Sequence, residues 1–125
     1  MPCCPSVIAR FERTIKVAPS PAIETAPPRE YMDIGNFSCV CADIYVFGGE
    51  GTNLTLNWDH AICQDGVWLP VLAAGEALTF ARASQVNFSQ DLASNPLYRW
   101  LRWNVANSSG SAEEVTIRIV YFLKR

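Results

Sequence analysis

The stretch 53–72, NLTLNWDHAICQDGVWLPVL, constrains the fold more than any other part of the chain. Leu54, Leu56, Trp58 and Ile62 share one parity, while Asn53, Thr55, Asn57 and Asp59 share the other. A strand sends successive side chains to opposite faces, so this segment reads as a strand with one dry and one wet side. Gln64-Asp65-Gly66 supplies the turn, with glycine accepting the positive φ of a tight hairpin. Residues 67–72 then return with a tryptophan of their own. This hairpin assigns a fold class and names no reaction.

The rest of the chain repeats the pattern. In 6–17, Val7, Ala9, Phe11, Ile15 and Val17 share a parity that only Arg13 interrupts, which predicts a first strand. Residues 18–28, APSPAIETAPP, hold four of the eight prolines. Proline lacks the amide hydrogen and fixes φ, so this segment is extended and not a central strand: a surface loop, or an arm across a neighbouring subunit. Residues 29–36 are a candidate for a short strand ending at Gly35-Asn36. In 38–47, Val40, Ala42, Ile44 and Val46 make one face, while Cys39, Cys41, Tyr45 and Phe47 make the other apolar too. Such a strand is central in a covered sheet or is buried by another chain.

After a turn at 48–52, residues 76–88 read as one strand with Leu78 and Phe80 inward, and 89–96 as a loop with room for one helical turn. In 97–105, Leu97, Leu101, Trp103 and Val105 face one way and Tyr98, Trp100, Arg102 and Asn104 the other. Beyond a turn at 107–110, Val115, Ile117, Ile119, Tyr121 and Leu123 alternate in a last strand. About eight short strands and no long helix predict an all-β chain, an antiparallel two-sheet β-sandwich that is jelly-roll-like, with an extended N-terminal arm. The expected division is a strand and Pro-rich arm over 1–28 and a sandwich domain over 29–125. Pattern alone leaves open whether the strand order is that of a jelly roll or of an immunoglobulin-like domain.

Composition narrows the function classes. A chain of 125 residues makes one domain, burying roughly two thirds of its unfolded surface. Half the residues are hydrophobic and 18% are charged, as suits a packed core rather than a disordered chain. A net charge of −2 lacks the basic surplus that nucleic-acid binding needs. No apolar run is long enough to cross a bilayer, so neither nucleic acid nor membrane is an expected partner. The N-terminus shows no basic region followed by an apolar block, so the chain is expected to stay in a cytosol or to be assembled there. Cys3, Cys4, Cys39, Cys41 and Cys63 are odd in number and irregularly spaced, which favours free thiols over a disulfide framework.

No catalytic constellation stands out, and the chain is expected not to be an enzyme and to need no cofactor. His60, the single histidine, lies near Cys39, Cys41 and Cys63 in sequence, but the spacing fits no zinc ribbon or finger, and no metal is assigned. Cysteine nucleophilic catalysis would require His60 beside a thiol and an oriented third group. The carboxylate pairs Asp59/Asp65 and Glu113/Glu114 sit beside turns, and no glycine-rich loop leads into a helix. The Asn-x-Ser/Thr triplets at Asn36, Asn53, Asn87 and Asn107 carry little weight without a secretion signal. The aromatics are more informative. Trp58 and Trp103 share parity with core residues, whereas Tyr98 and Trp100, flanked by Arg99 and Arg102, read as interface anchors or as a sugar-stacking platform. Tyrosine, tryptophan and arginine dominate the centres of interfaces. Tyr45, Phe47, Tyr98, Trp100 and Arg102 are therefore the interface candidates.

The order of features resembles small β-sandwich structural proteins of tailed phages and phage-derived particles. The resemblance runs from about Tyr31 to the C-terminus, through YMDIGNFSCVCADIYVF, LTLNWDHAICQDGVWLPV and LYRWLRWNVANSSGSAEEVTIRIVYFLKR. The cysteine-rich start and the proline-rich spacer depart from it. It implies a virion component that works by assembly: a capsid decoration (cement) protein, or a tail, neck or head-spike component. The implied partners are copies of the chain, as a homo-trimer, and a major capsid or tail protein. A carbohydrate-binding module for host attachment, with a glycan as partner, is the rival reading.

Overall fold

The computed structural model describes residues 9–17, 22–47, 54–73, 77–80, 84–107 and 115–125. Val7, Cys3, Cys4, the turn at 48–52 and the Glu113/Glu114 pair lie outside the described residues. Among the described residues the strands are β1 (Ala9–Val17), β2 (Ala22–Thr25), β3 (Met32–Asp33), β4 (Cys39–Phe47), β5 (Leu54–Ala61), β6 (Leu69–Pro70), β7 (Leu78–Phe80), β8 (Ser84–Asp91), β9 (Trp100–Asn107) and β10 (Val115–Lys124).

They form two antiparallel sheets. The first has the order β1-β10-β4-β8. In the second, β9 pairs with β5, both β2 and β3 pair with β9, and both β6 and β7 pair with β5. Taking β2/β3 and β6/β7 each as one interrupted strand gives eight, ordered 1-8-3-6 in one sheet and 2-7-4-5 in the other. Every connection but that leaving β5 crosses between sheets, which is the jelly roll's double Greek key rather than an immunoglobulin-like order. The all-β sandwich expected from the alternation is the fold.

Alternation places the core correctly along β4, β9 and β10, whereas Phe11 of β1, which shares the core parity, is exposed. Val40, Ala42, Ile44 and Val46 of β4 are buried, as are Leu101, Trp103 and Val105 of β9. Val115, Ile117, Ile119, Tyr121 and Leu123 of β10 lie beside the β4 set in the first sheet and face the β9 set across the core. The nine-residue register of β1 on β10, from Ala9↔Leu123 to Val17↔Val115, carries Ile15 and Val17 into the same core. The proline-flanked β2, which itself holds no proline, pairs with β9 as an edge segment of the second sheet. Leu92 to Asn95 make a single turn, Asn95 N–H donating to the Asp91 carbonyl at 2.8 Å.

Five expectations need correction. Ile62 does not continue the dry face of β5, because the strand ends at Ala61 and Ile62 is exposed. Gly66 does close the turn, its N–H donating to the Cys63 carbonyl at 3.1 Å, but its φ lies outside the left-handed range. A Cβ there would lie 2.8 Å from the sulfur of the exposed Cys63, which can rotate away, and 3.2 Å from the Cys63 carbonyl oxygen. The return strand is only Leu69–Pro70, and the expected single strand over 76–88 is two, β7 on β5 and β8 on β4. Finally, Cys39 and Cys41 are each disulfide-bonded, though not to one another, their sulfurs standing 3.8 Å apart, so the free-thiol expectation holds for Cys63 and fails for these two.

Candidate interaction surface

The described loops 34–38, 62–68 and 92–99 gather at one end of the sandwich, because the register brings Ala61 opposite Trp100 and Cys39 opposite Asp91. On the outer face of the second sheet, β5 presents Thr55, Asn57 and Asp59, and β9 presents Arg102 and Asn104 opposite them. Asp59 is buried although it points away from the core, and two things account for this. Arg102 Nε donates to Asp59 Oδ2 at 3.0 Å, and the Trp68 ring lies under the Arg102 guanidinium, 4.3 Å from its carbon. Tyr31 packs against Trp68 with ring centroids 4.8 Å apart and planes at 56°.

The segment carrying Trp68 is tied to β5 beyond the short β6. Asn57 behaves like a backbone unit, its Nδ2 donating to the Leu72 carbonyl and its Oδ1 accepting the Leu72 N–H, both at 3.1 Å. Val71 N–H adds a 2.7 Å bond to the Trp58 carbonyl. These bonds let an apolar loop lie along the sheet with its backbone satisfied. Its outer side chains remain in water, with Ile62 at 68% and Val67 at 78% exposure.

Nearby, His60 Nδ1 accepts the Tyr98 N–H at 2.8 Å, and the two rings stack at 4.9 Å. Partial burial pushes the His60 pKa below its ordinary value, and the neighbouring Asp59 carboxylate opposes this in part. Leu69 is the cross-strand partner of His60, so its exposed side chain continues the row formed by Tyr98 and His60. Arg99 is held by Asp33 through both carboxylate oxygens, Nη2–Oδ2 being 2.7 Å, and its guanidinium carbon sits 5.2 Å from the Trp100 ring centre. That pairing holds the Asp33 carboxyl below its ordinary range.

The five interface candidates do not form one patch. Tyr98 is exposed, while Trp100 and Arg102 are half-buried near the same end. Phe47, at 50% exposure, and Tyr45 lie on β4 in the other sheet, where Tyr45 sits beside the Arg118 guanidinium. Sequence reading missed Ile62, Val67 and Leu69 as surface groups, and missed the Tyr31–Trp68–Arg102–Asp59 stack. The stack depends on the β5–β9 register and on a loop folding back, and neither leaves a local trace in the sequence.

Among the described residues no group of three or more histidine, cysteine or acidic side chains could hold a metal ion. Arg13, the break in the β1 pattern, points inward at the open side of the sandwich. Its Nε lies 3.6 Å from Glu30 Oε1, which also accepts the Trp103 indole N–H at 3.2 Å.

Comparison with solved structures supports the fold. The PBSX exported protein XepA superposes with a TM-score of 0.59 at 11% identity, covering 94% of this chain and 37% of that one. PirA superposes with a TM-score of 0.55 at 13% identity, covering 90% of this chain and 93% of the other. No family model and no curated protein sequence matches the chain. No helix among the described residues is long and apolar enough to cross a membrane.

Proposed function

We propose that this chain is a structural protein that acts by assembly, as a capsid decoration (cement) subunit of a phage-like particle. In this reading it forms a homo-trimer seated on a major capsid or tail protein, and it is not an enzyme. One observation carries the proposal: large apolar side chains stand in water on separate parts of the surface. Ile62 and Val67 lie at the loop end, Ile23 on the edge strand β2 at 79% exposure, and Phe47 at the far end of β4. Single exposed apolar groups are ordinary on any surface, so the weight rests on the loop end, where Ile62, Val67, Leu69 and Tyr98 stand in water together and a neighbour would cover them.

The aromatic groups support assembly over sugar binding. Trp58 and Trp103 are core residues, Trp68 lies against Arg102 and Tyr31, Arg99 sits over Trp100, and Tyr98 stacks on His60. A sugar platform needs a free ring face with polar groups beside it. The jelly roll is, moreover, an architecture of viral capsid domains, although lectin domains use it too.

Native mass spectrometry and light scattering at tens of micromolar test the reading, together with co-sedimentation with an assembled particle. A trimer that co-sediments supports it. A monomer that binds no particle component overturns it, and saturable binding on a glycan array would favour the carbohydrate-binding alternative.

A further inference from the structure

We propose that His60 is a pH-operated latch on the loop end of the sandwich, releasing the segment that carries Leu97 and Tyr98 when its imidazole is protonated. This goes beyond the assembly reading and does not depend on it.

The loop 92–99 crosses from β8 to β9 and, besides its bonds back to Gln90 and Asp91 of β8 and the Arg99–Asp33 ion pair, is held to other elements by three main-chain groups. Leu92 N–H donates to the Ser38 carbonyl at 2.8 Å, and Ile34 N–H donates to the Arg99 carbonyl at 2.8 Å. Between these backbone ties, the Tyr98 N–H is held by a side chain, the Nδ1 of His60. A ring nitrogen accepts only while it carries no proton, so the bond requires neutral imidazole with its hydrogen on Nε2. Protonation turns Nδ1 into a donor facing another donor. The bond is then lost, and the two N–H dipoles oppose each other.

The surroundings favour the neutral ring without locking it. Asp59 on the same strand is the nearest charge that would stabilise imidazolium, but its carboxylate points to the opposite face and is engaged by Arg102 of β9. From β6 the ring meets Leu69, and its β9 partner is the apolar Leu101. From the loop it meets the Tyr98 phenol, while the Arg99 guanidinium is held away by Asp33 of β3. Cys63 lies three residues on, as an exposed free thiol. Among the described residues no carboxylate is therefore free to compensate a cation at His60, and its half-buried site disfavours the charge. Leu97 packs against the core just before the latched amide, so releasing Tyr98 loosens that contact and reshapes the apolar rim formed with Leu69.

Amide hydrogen exchange on the full chain, expressed as protection factors corrected for intrinsic pH dependence, tests the latch. The Tyr98 amide should lose about tenfold in protection between pH 7.5 and pH 5, the scale of one net hydrogen bond. The Leu92 amide, bound to a backbone carbonyl, should keep its protection. His60→Asn, whose Oδ1 accepts at either pH, should hold the Tyr98 amide protected throughout. His60→Phe, which keeps the stacking but cannot accept, should leave it unprotected throughout. Equal wild-type protection at both pH values overturns the proposal, as does an acid loss in His60→Asn matching the wild type. Should His60→Phe fail to fold, the comparison of wild type with His60→Asn decides alone. Oligomeric state plays no part in the readout, so failure here leaves the assembly proposal standing.

Discussion

The indole N–H of Trp58 donates to the Tyr121 hydroxyl at 2.8 Å, joining β5 of one sheet to β10 of the other inside a core where both residues are buried. Trp58 also stacks on Phe88 of β8 at 4.3 Å, so one side chain fixes the spacing between the sheets. Burial pushes the Tyr121 phenol far above its ordinary value, which keeps it neutral and able to accept this bond.

Tyr121→Phe should therefore cost more than the removal of one oxygen suggests, because it strands a buried indole N–H. The expected loss is about 1–3 kcal/mol in urea unfolding. In the Trp58→Phe background, where no donor remains, the same change should cost much less. Equal costs in both backgrounds would show that the bond contributes nothing.

Two Arg–Asp pairs of similar chemistry should behave differently. Asp59→Ala leaves the half-buried Arg102 guanidinium over the Trp68 ring without its anion and should destabilise by about 3 kcal/mol, the lower end for a buried pair. Asp33→Ala breaks the shorter Arg99 contact, but there the guanidinium is already in water and the loss should be much smaller. Thermal melts of the two variants side by side give the comparison.

Stability should fall as the solution is acidified through the histidine range. The His60 pKa lies below its ordinary 6.5 in the folded chain, so the unfolded chain takes up its proton first. Stability from this group is complete above 6.5, declines as pH falls towards the folded value, and changes no further below it. His60→Asn should flatten this part of the Tm-against-pH curve. A wild-type curve that rises on acidification across that window would contradict the sign.

Replacing Ile62 and Val67 together by serine should leave unfolding stability within about 0.5 kcal/mol, since both side chains stand in water. The same double variant should weaken self-association or particle binding, read by light scattering and co-sedimentation. Unchanged association would remove the loop end from the proposed interface.

The alternation of Val40 to Val46, Leu101 to Val105 and Val115 to Leu123 fixed on its own which faces of the long strands are buried, because a period of two admits one inward set. The recurrence of such alternating runs, with no long helical pattern between them, likewise set the all-β class. Pattern failed where side chains are governed by contacts distant in sequence. Ile62 has the parity of a core residue but follows the end of β5, and Asp59 has the parity of a surface residue but is buried by Arg102 and Trp68. The jelly-roll order, the split of 76–88 between two sheets and the meeting of His60 with Tyr98 were settled only by the tertiary structure. Each depends on which strands pair and in what register, and that choice minimises the free energy of the whole packed chain rather than of any one segment.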